Sequence, residues 1–265
     1  MYNFYSTCLD ILLCDDTESK FNQLRYLYHH YDEYTFDKTT IISIPVPGRP
    51  VYPKLISPLD VPKRKIHTKD GLASLYHALI HIEFNAINLA LDACYRFQEM
   101  PKEFSLDWLN VAYEELSHFI LLDKHLNTLG YQYGDFEAHN GLWDMVHKTE
   151  HDPLIRMALV PRVLEARGVD AIPDIINKLS KVNDYVGINI LNIIAEDEIK
   201  HVQIGNKWYQ QLCKLNSLDP MVTFFNLLEK YEAPKIRGAF NRHGRIKAGF
   251  SEYELDLLLQ RTQNE

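Results

Sequence analysis

Apolar residues recur at helical spacing along most of this chain, and the stripes they form break where proline, glycine or capping side chains gather. Residues 4–14 and 16–32 read as two helices, the second capped by Asp16 or Thr17 and striped by Phe21, Leu24, Leu27 and Tyr28. Between 39 and 62 the period is lost. Pro45, Pro47, Pro50, Pro53, Pro58 and Pro62 remove amide donors and fix φ, so this stretch is expected to be extended. Its interleaved Ile42, Ile44, Val46, Val51, Tyr52, Leu55 and Ile56 predict a strap packed along the domain surface rather than a loose linker.

Four longer helices follow. The first is predicted over 70–96, with Thr68 or Asp70 as cap and Tyr76, Leu79, Ile80, Glu83, Ile87, Ala90 and Cys94 on or near one stripe. The second covers 105–129, aligns Trp108, Val111, Glu115, His118, Leu122 and Leu126, and stops at Gly130. After a loop from 130 to 151, the third spans 153–167, with Asp152 as N-cap, Pro153 in its first turn and Gly168 past its end; Pro161 should kink it. A short helix over 171–179 leads into the fourth, over 181–215, where Asp184, Leu191, Ile194, Glu198, His201 and Gly205 share a face. Two short helices over 220–231 and 251–260 close the chain, the last opening on a capping box, Ser251 to Glu254. The fold class is all-α: N-terminal helices and strap over 1–66, a four-helix core over 67–215 and a C-terminal extension over 216–265, forming one compact unit.

The polar residues on those apolar stripes carry the chemistry. Glu115 and His118 form a Glu-x-x-His pair that recurs as Glu198 and His201. Each pair follows a lone glutamate on an apolar helix face, Glu83 by 32 residues and Glu165 by 33. On a helix, positions three apart differ by about 300° and one turn, so both side chains reach one point. Two such pairs plus two single glutamates are the ligand set with which a four-helix bundle holds two metal ions. Four carboxylates and two imidazoles leave two divalent ions formally neutral, and nitrogen and oxygen donors without thiolate suit iron first, manganese or a mixed pair next, with zinc as an expression artefact. Glu114 and Asp197, each preceding a proposed ligand, are placed to accept the outer N–H of a histidine: Asp197 from His118, and Glu114 from His201.

Other features weigh less. His77 and His81 have metal-compatible spacing, but His81 lies about 200° around the helix from Glu83, which favours hydrogen-bonded histidines. Tyr76, Tyr113 and Tyr185 are candidate redox relays, with packing the stronger expectation among 16 tyrosines; Cys94 reads as a small core hydrophobe. The net charge of −8 disfavours general nucleic-acid binding. Two local basic sets stand out, Lys63 to Lys65 and then Lys235, Arg237, Arg242, Arg245 and Lys247, either solvated or a dock for an anionic substrate or partner. Four scattered cysteines and the lack of a signal peptide or membrane span point to a cytoplasmic protein with reduced thiols.

Beyond the ligands, several runs resemble one family: Pro47 to Pro50 with its proline strap, Leu164 to Gly168, Asp197 to Trp208, Ala233 to Asn241 and Ala248 to Glu252. On these the chain is similar to domain of unknown function 455, a bacterial family within the ferritin-like di-iron carboxylate superfamily. The resemblance implies a ferritin-like four-helix core with extra terminal elements and a di-iron centre at Glu83, Glu115, His118, Glu165, Glu198 and His201. The expected activity is that of an oxidoreductase activating dioxygen, a hydroxylase or oxygenase acting on a small-molecule or anionic substrate with an electron donor. A tRNA-like substrate enters by analogy of fold alone. Alternatives are a ferroxidase or iron-handling protein and a metal-bearing structural or partner-binding module. The terminal elements suit a monomer or dimer better than a cage.

Overall fold

Side-chain caps set where the helices begin. In the computed structural model, which describes residues 2–62, 64–235 and 240–263, Asn3 and Asp16 accept the Ser6 and Ser19 amides at 2.9 and 2.8 Å, opening α1 (Phe4–Leu13) and α2 (Thr17–His30). Thr68 caps α3 (Lys69–Arg96) through the Gly71 amide at 3.1 Å. α4 spans Lys102–Thr128 and α5 spans Gly141–Lys148. Among the described residues two isolated bridges, Asn3 with Thr35 and Leu55 with Ala138, stand in place of any strand, so the all-α class holds. No helix there is long and apolar enough to cross a membrane. The chain divides into two compact units, residues 1–147 and 148–265.

The first unit is built on an antiparallel pair. As α3 runs forward its partners in α4 run backward: the Tyr76 ring meets His125 at 4.6 Å, Phe84 meets Phe119 at 6.2 Å, and Cys94 Sγ donates to the Ser105 carbonyl at 3.2 Å. A five-residue connection from 97 to 101 makes this the natural geometry. The proline strap is held by this unit, but by backbone hydrogen bonds more than by its apolar side chains. Ile42 donates its amide to Tyr95 Oη at 2.8 Å and its carbonyl accepts from Arg96; Trp143 Nε1 donates to the Ile44 and Pro45 carbonyls at 3.2 and 3.1 Å. Ile44 is buried, whereas Ile42, Val46, Val51 and Tyr52 are exposed. Prolines strip the strap of donors, so its carbonyls find theirs on side chains.

The second unit repeats the plan with one departure. α6 (Pro153–Leu159), capped by Asp152, widens into a π turn over Val160–Glu165 before α7 (Ala166–Ser180). Pro161 has no N–H to give the preceding turn, and the chain absorbs the missing bond by widening rather than by a simple kink. The predicted stop at Gly168 and separate helix over 171–179 are both corrected: α7 runs unbroken through Gly168 and Pro173. Opposite lies α8 (Tyr185–Leu215), with Asp184 as its N-cap through the Gly187 amide at 3.0 Å rather than a member of the inward face. α9 (Pro220–Lys230), α10 (Arg242–Lys247) and α11 (Glu252–Gln263) complete the unit. Of the predicted capping box only Ser251 takes its part, at 3.2 Å from the Glu254 amide; the Glu254 carboxylate is drawn instead to buried Arg162.

Candidate metal centre

α3 and α4 bring three of the predicted ligands together in the first unit. His118 Nδ1 lies 3.2 Å from Glu115 Oε2 and 4.0 Å from Glu83 Oε2. One donor atom from each of the three falls within 4.8 Å of the others, and all three side chains are buried. This buried Glu/His group can hold a metal ion. Two carboxylates set side by side in a core cost several kcal/mol unless a cation or hydrogen bonds compensate them. The rotation of both helices is locked next door. Phe84 and Phe119 follow Glu83 and His118 in sequence, and Phe21 packs edge-on to Phe119 at 4.8 Å. Because neighbours on a helix diverge by about 100°, burying these rings aims Glu83 and His118 toward one line. Buried Lys20, unremarked by the sequence reading, braces the same turn. Its Nζ donates to Leu12 O at 3.0 Å and Asn88 Oδ1 at 2.7 Å, and desolvation pulls its pKa down to about 7.

The second unit places the other three on its own helix pair. Glu165 ends the π turn, and Glu198 and His201 lie one turn apart on α8; all are buried. Two glycines allow the close approach. A Cβ on Gly168 would sit 3.2 Å from Glu198 Oε2, and one on Gly205 would sit 2.2 Å from Pro161 Cβ. Thus Gly168 is a cradle for the Glu198 carboxylate inside a continuous helix, where sequence alone suggests a helix stop. Asp197 Oδ1 accepts from Lys200 Nζ at 2.7 Å on the outer side of α8, and Glu114 is half-buried on α4.

The remaining candidates resolve into structural roles. His77 Nε2 accepts the Gly134 amide at 3.0 Å, while His81 joins Tyr133 Oη at 2.8 Å and the His139 carbonyl at 3.1 Å. Both therefore fasten the 131–139 loop, as hydrogen-bonded histidines. Tyr76 packs edge-on to His125, Tyr113 stacks on Tyr28 at 3.9 Å, and Tyr185 is exposed. Cys94 is core, and all four cysteines are unbridged. Among the described residues the C-terminal basic set does not form one surface: Arg245 pairs with Asp170 in the interior, and Arg242 pairs with Glu252 and Asp256. Lys63 and Arg237 lie outside the described residues.

His77 carries a pH signature. Burial pushes its pKa down to about 4, against about 6.5 in the unfolded chain. Between those values the unfolded state binds more protons, so its contribution is complete above pH 6.5, falls as the pH drops, and levels off below 4. The full loss is on the order of 3 kcal/mol. Urea unfolding of the metal-free protein at pH 7 and 4.5 is expected to show a steeper loss for wild type than for His77→Gln, whose amide oxygen can still accept from Gly134. Equal losses would mean that His77 titrates normally.

The comparisons with known proteins follow this geometry. The chain is similar to an uncharacterized protein of Haemophilus influenzae, 52% identical over 218 residues that make up 80% of this chain and 76% of the relative. A weaker likeness, 22% identical over 161 residues, links 57% of this chain to 18% of the major core protein 4a precursor of Fowlpox virus. That stretch is too small a part of the viral protein to speak to the site. No solved structure matches the chain significantly. The family model described as "Protein of unknown function (DUF455)" matches residues 13–256, nearly the whole chain, and the protein belongs to that family.

Proposed function

We propose that the two triads form one centre for two metal ions and that the protein is a di-iron oxidoreductase with a ferritin-like four-helix core. The observation that carries this reading is the buried Glu83, Glu115 and His118 cluster, with Glu198 proposed as its next donor and Glu165 and His201 completing the set. The donor chemistry fits iron: oxygen and imidazole nitrogen, with no cysteine in the set. The fit extends to the backbone, since Gly168 leaves the Glu198 carboxylate room that any side chain would narrow. When bound, two ferrous ions supply the electrons and open positions with which such centres activate dioxygen.

The residues of the chain do the rest. Glu83, Glu115, Glu165 and Glu198 offset the charge of the cations, and His118 and His201 supply neutral donors. Phe84 and Phe119 keep the first triad dry and fixed in rotation. We place Asp197 behind His118 and Glu114 behind His201, where each carboxylate would hold an imidazole in one tautomer. Lys200 steadies Asp197 for that task.

Metal analysis of protein purified without oxygen and reconstituted with ferrous iron tests the reading, together with its Mössbauer spectrum. Two ions per chain and a coupled pair are expected; fewer than two after reconstitution would overturn it. The same titration on Asp197→Ala, expected to bind about 10–100-fold more weakly, tests the outer carboxylate. Turnover of dioxygen that needs an added electron donor would separate an oxygenase from stoichiometric ferrous oxidation.

A further inference from the structure

The second unit also contains a pocket that no proposed metal ligand lines. Arg162, Arg167, Lys235, Arg245 and Arg261 border it, and Phe224, Leu228 and Leu258 give it an apolar wall. It is a cleft open to solvent, with a cavity volume of about 20 Å³ at its base. Among the described residues no carboxylate belongs to the lining. Carboxylates behind the pocket pair with Arg162 and Arg245, so the lining itself presents cations and an apolar wall.

Two of the five are held in place from behind. Arg245 makes a bidentate pair with Asp170, its Nε at 3.0 Å and Nη2 at 2.7 Å from the carboxylate oxygens. Arg162 is buried, donates to Asn206 and Glu254, and lies over the rings of Phe224, Tyr209 and Phe250 at 4.2, 4.5 and 4.7 Å. Its Nε nonetheless has no hydrogen-bond acceptor. A guanidinium clamped by three rings cannot turn to find one, so this donor waits for an acceptor brought from outside. Arg167, exposed at the rim, has no hydrogen-bond or ion-pair partner among the described residues. Arg261 uses one nitrogen on the Leu228 carbonyl at 3.1 Å.

Planar guanidinium groups lining a pocket with an apolar wall match an anionic head joined to a hydrophobic body. We propose that this pocket is a binding site for a small molecule with an oxyanion head, phosphate or carboxylate, and an apolar body. The site goes beyond the metal reading and does not depend on it, because all its residues belong to the second unit and none is a proposed ligand. Among the described residues of the predicted C-terminal basic set, Lys235 and Arg245 take part; Arg162, Arg167 and Arg261 are joined to them by folding.

The test is calorimetric titration of the full-length protein with phenyl phosphate, benzoate and inorganic phosphate. Saturable binding of phenyl phosphate or benzoate is expected, tighter than inorganic phosphate and weakened by salt. The stronger of the two identifies the head group. A double variant, Arg167→Gln with Lys235→Gln, changes only rim residues and should weaken binding about tenfold or more. Its circular dichroism and metal content should match wild type, so a failed metal centre and a failed pocket give different results. No saturation up to about 10 mM, equal binding by the double variant, or inorganic phosphate binding as tightly as phenyl phosphate would each overturn the proposal.

Discussion

Replacing Glu115 with alanine is expected to abolish tight metal binding while leaving the metal-free protein as stable as wild type, or more so. The reasoning starts from burial. Glu115 and Glu83 lie against one imidazole nitrogen in a core with no solvent to disperse their charge. Without a cation these carboxylates repel one another, so deleting one relieves a cost even as it removes some packing. With a cation the balance reverses. Removing an outer hydrogen-bond partner of a ligand costs about 10–100-fold in metal affinity, and losing a ligand itself should cost at least about a hundredfold. Ligand linkage makes the difference visible: metal at a hundred times its Kd adds about 2.7 kcal/mol to wild-type stability, a gain Glu115→Ala should lack. Metal analysis and calorimetric melting with and without iron measure both halves. A variant that binds metal like wild type, or whose metal-free form melts far lower, would show that Glu115 is a packing residue.

The two glycines of the second unit should respond in opposite ways to the same substitution. In Gly205→Ala the new Cβ would meet the Pro161 ring at 2.2 Å from Cβ and 2.6 Å from Cγ. A proline ring on a π turn has no rotamer to give, so the turn must move away from α8. Overpacking of this kind costs about 1–3 kcal/mol and often more, and we expect the upper end. The displaced turn carries Glu165, so metal stoichiometry should drop as well. Gly168→Ala meets only the tip of a carboxylate, at 3.2 Å from Glu198 Oε2. Alanine in mid-helix gains roughly 0.5–1 kcal/mol over glycine, so the metal-free protein should hold or gain stability while metal binding weakens. Thermal melting and metal titration of the two variants would show this crossing. Equal destabilisation by both would mean that Gly168 serves helix packing alone.

Much of this was legible before folding, for a local reason. Caps such as Asp16, Asp152 and Thr68 act on amides two or three residues away, so the chain order alone reveals them. The stripe of α3 sets Glu83 among buried residues for the same reason. Two short helices are not legible in this way. α10 contains one apolar side chain, Ile246, in six residues, and it is anchored by Arg245 on Asp170, 75 positions earlier in the chain. α5, eight residues long within a stretch rich in Gly, His and aromatic residues, has a local pattern that predicts a loop; its buried face of Trp143, Met145 and Val146 is fixed from afar, Trp143 donating to carbonyls nearly a hundred residues before it.

Glycine and proline misled the reading most, since each has a local and a tertiary meaning. Gly168 has the sequence context of a helix end, yet its lack of a Cβ is used sideways, by Glu198. Pro161 signals a broken helix, and the break became a widened turn whose ring fills the space that Gly205 leaves.

By itself, then, the sequence determined the longer helices and the identity of the six candidate ligands, because helical period and capping are relations between residues a few positions apart. Folding decided which of those polar groups meet. It set His118 beside Glu83 and Glu115, turned His77 and His81 to a loop, and collected Arg162, Arg167 and Arg261 around one pocket. Those outcomes rest on contacts between residues far apart in the chain, where burial makes each charge or hydrogen bond costly to leave unmatched.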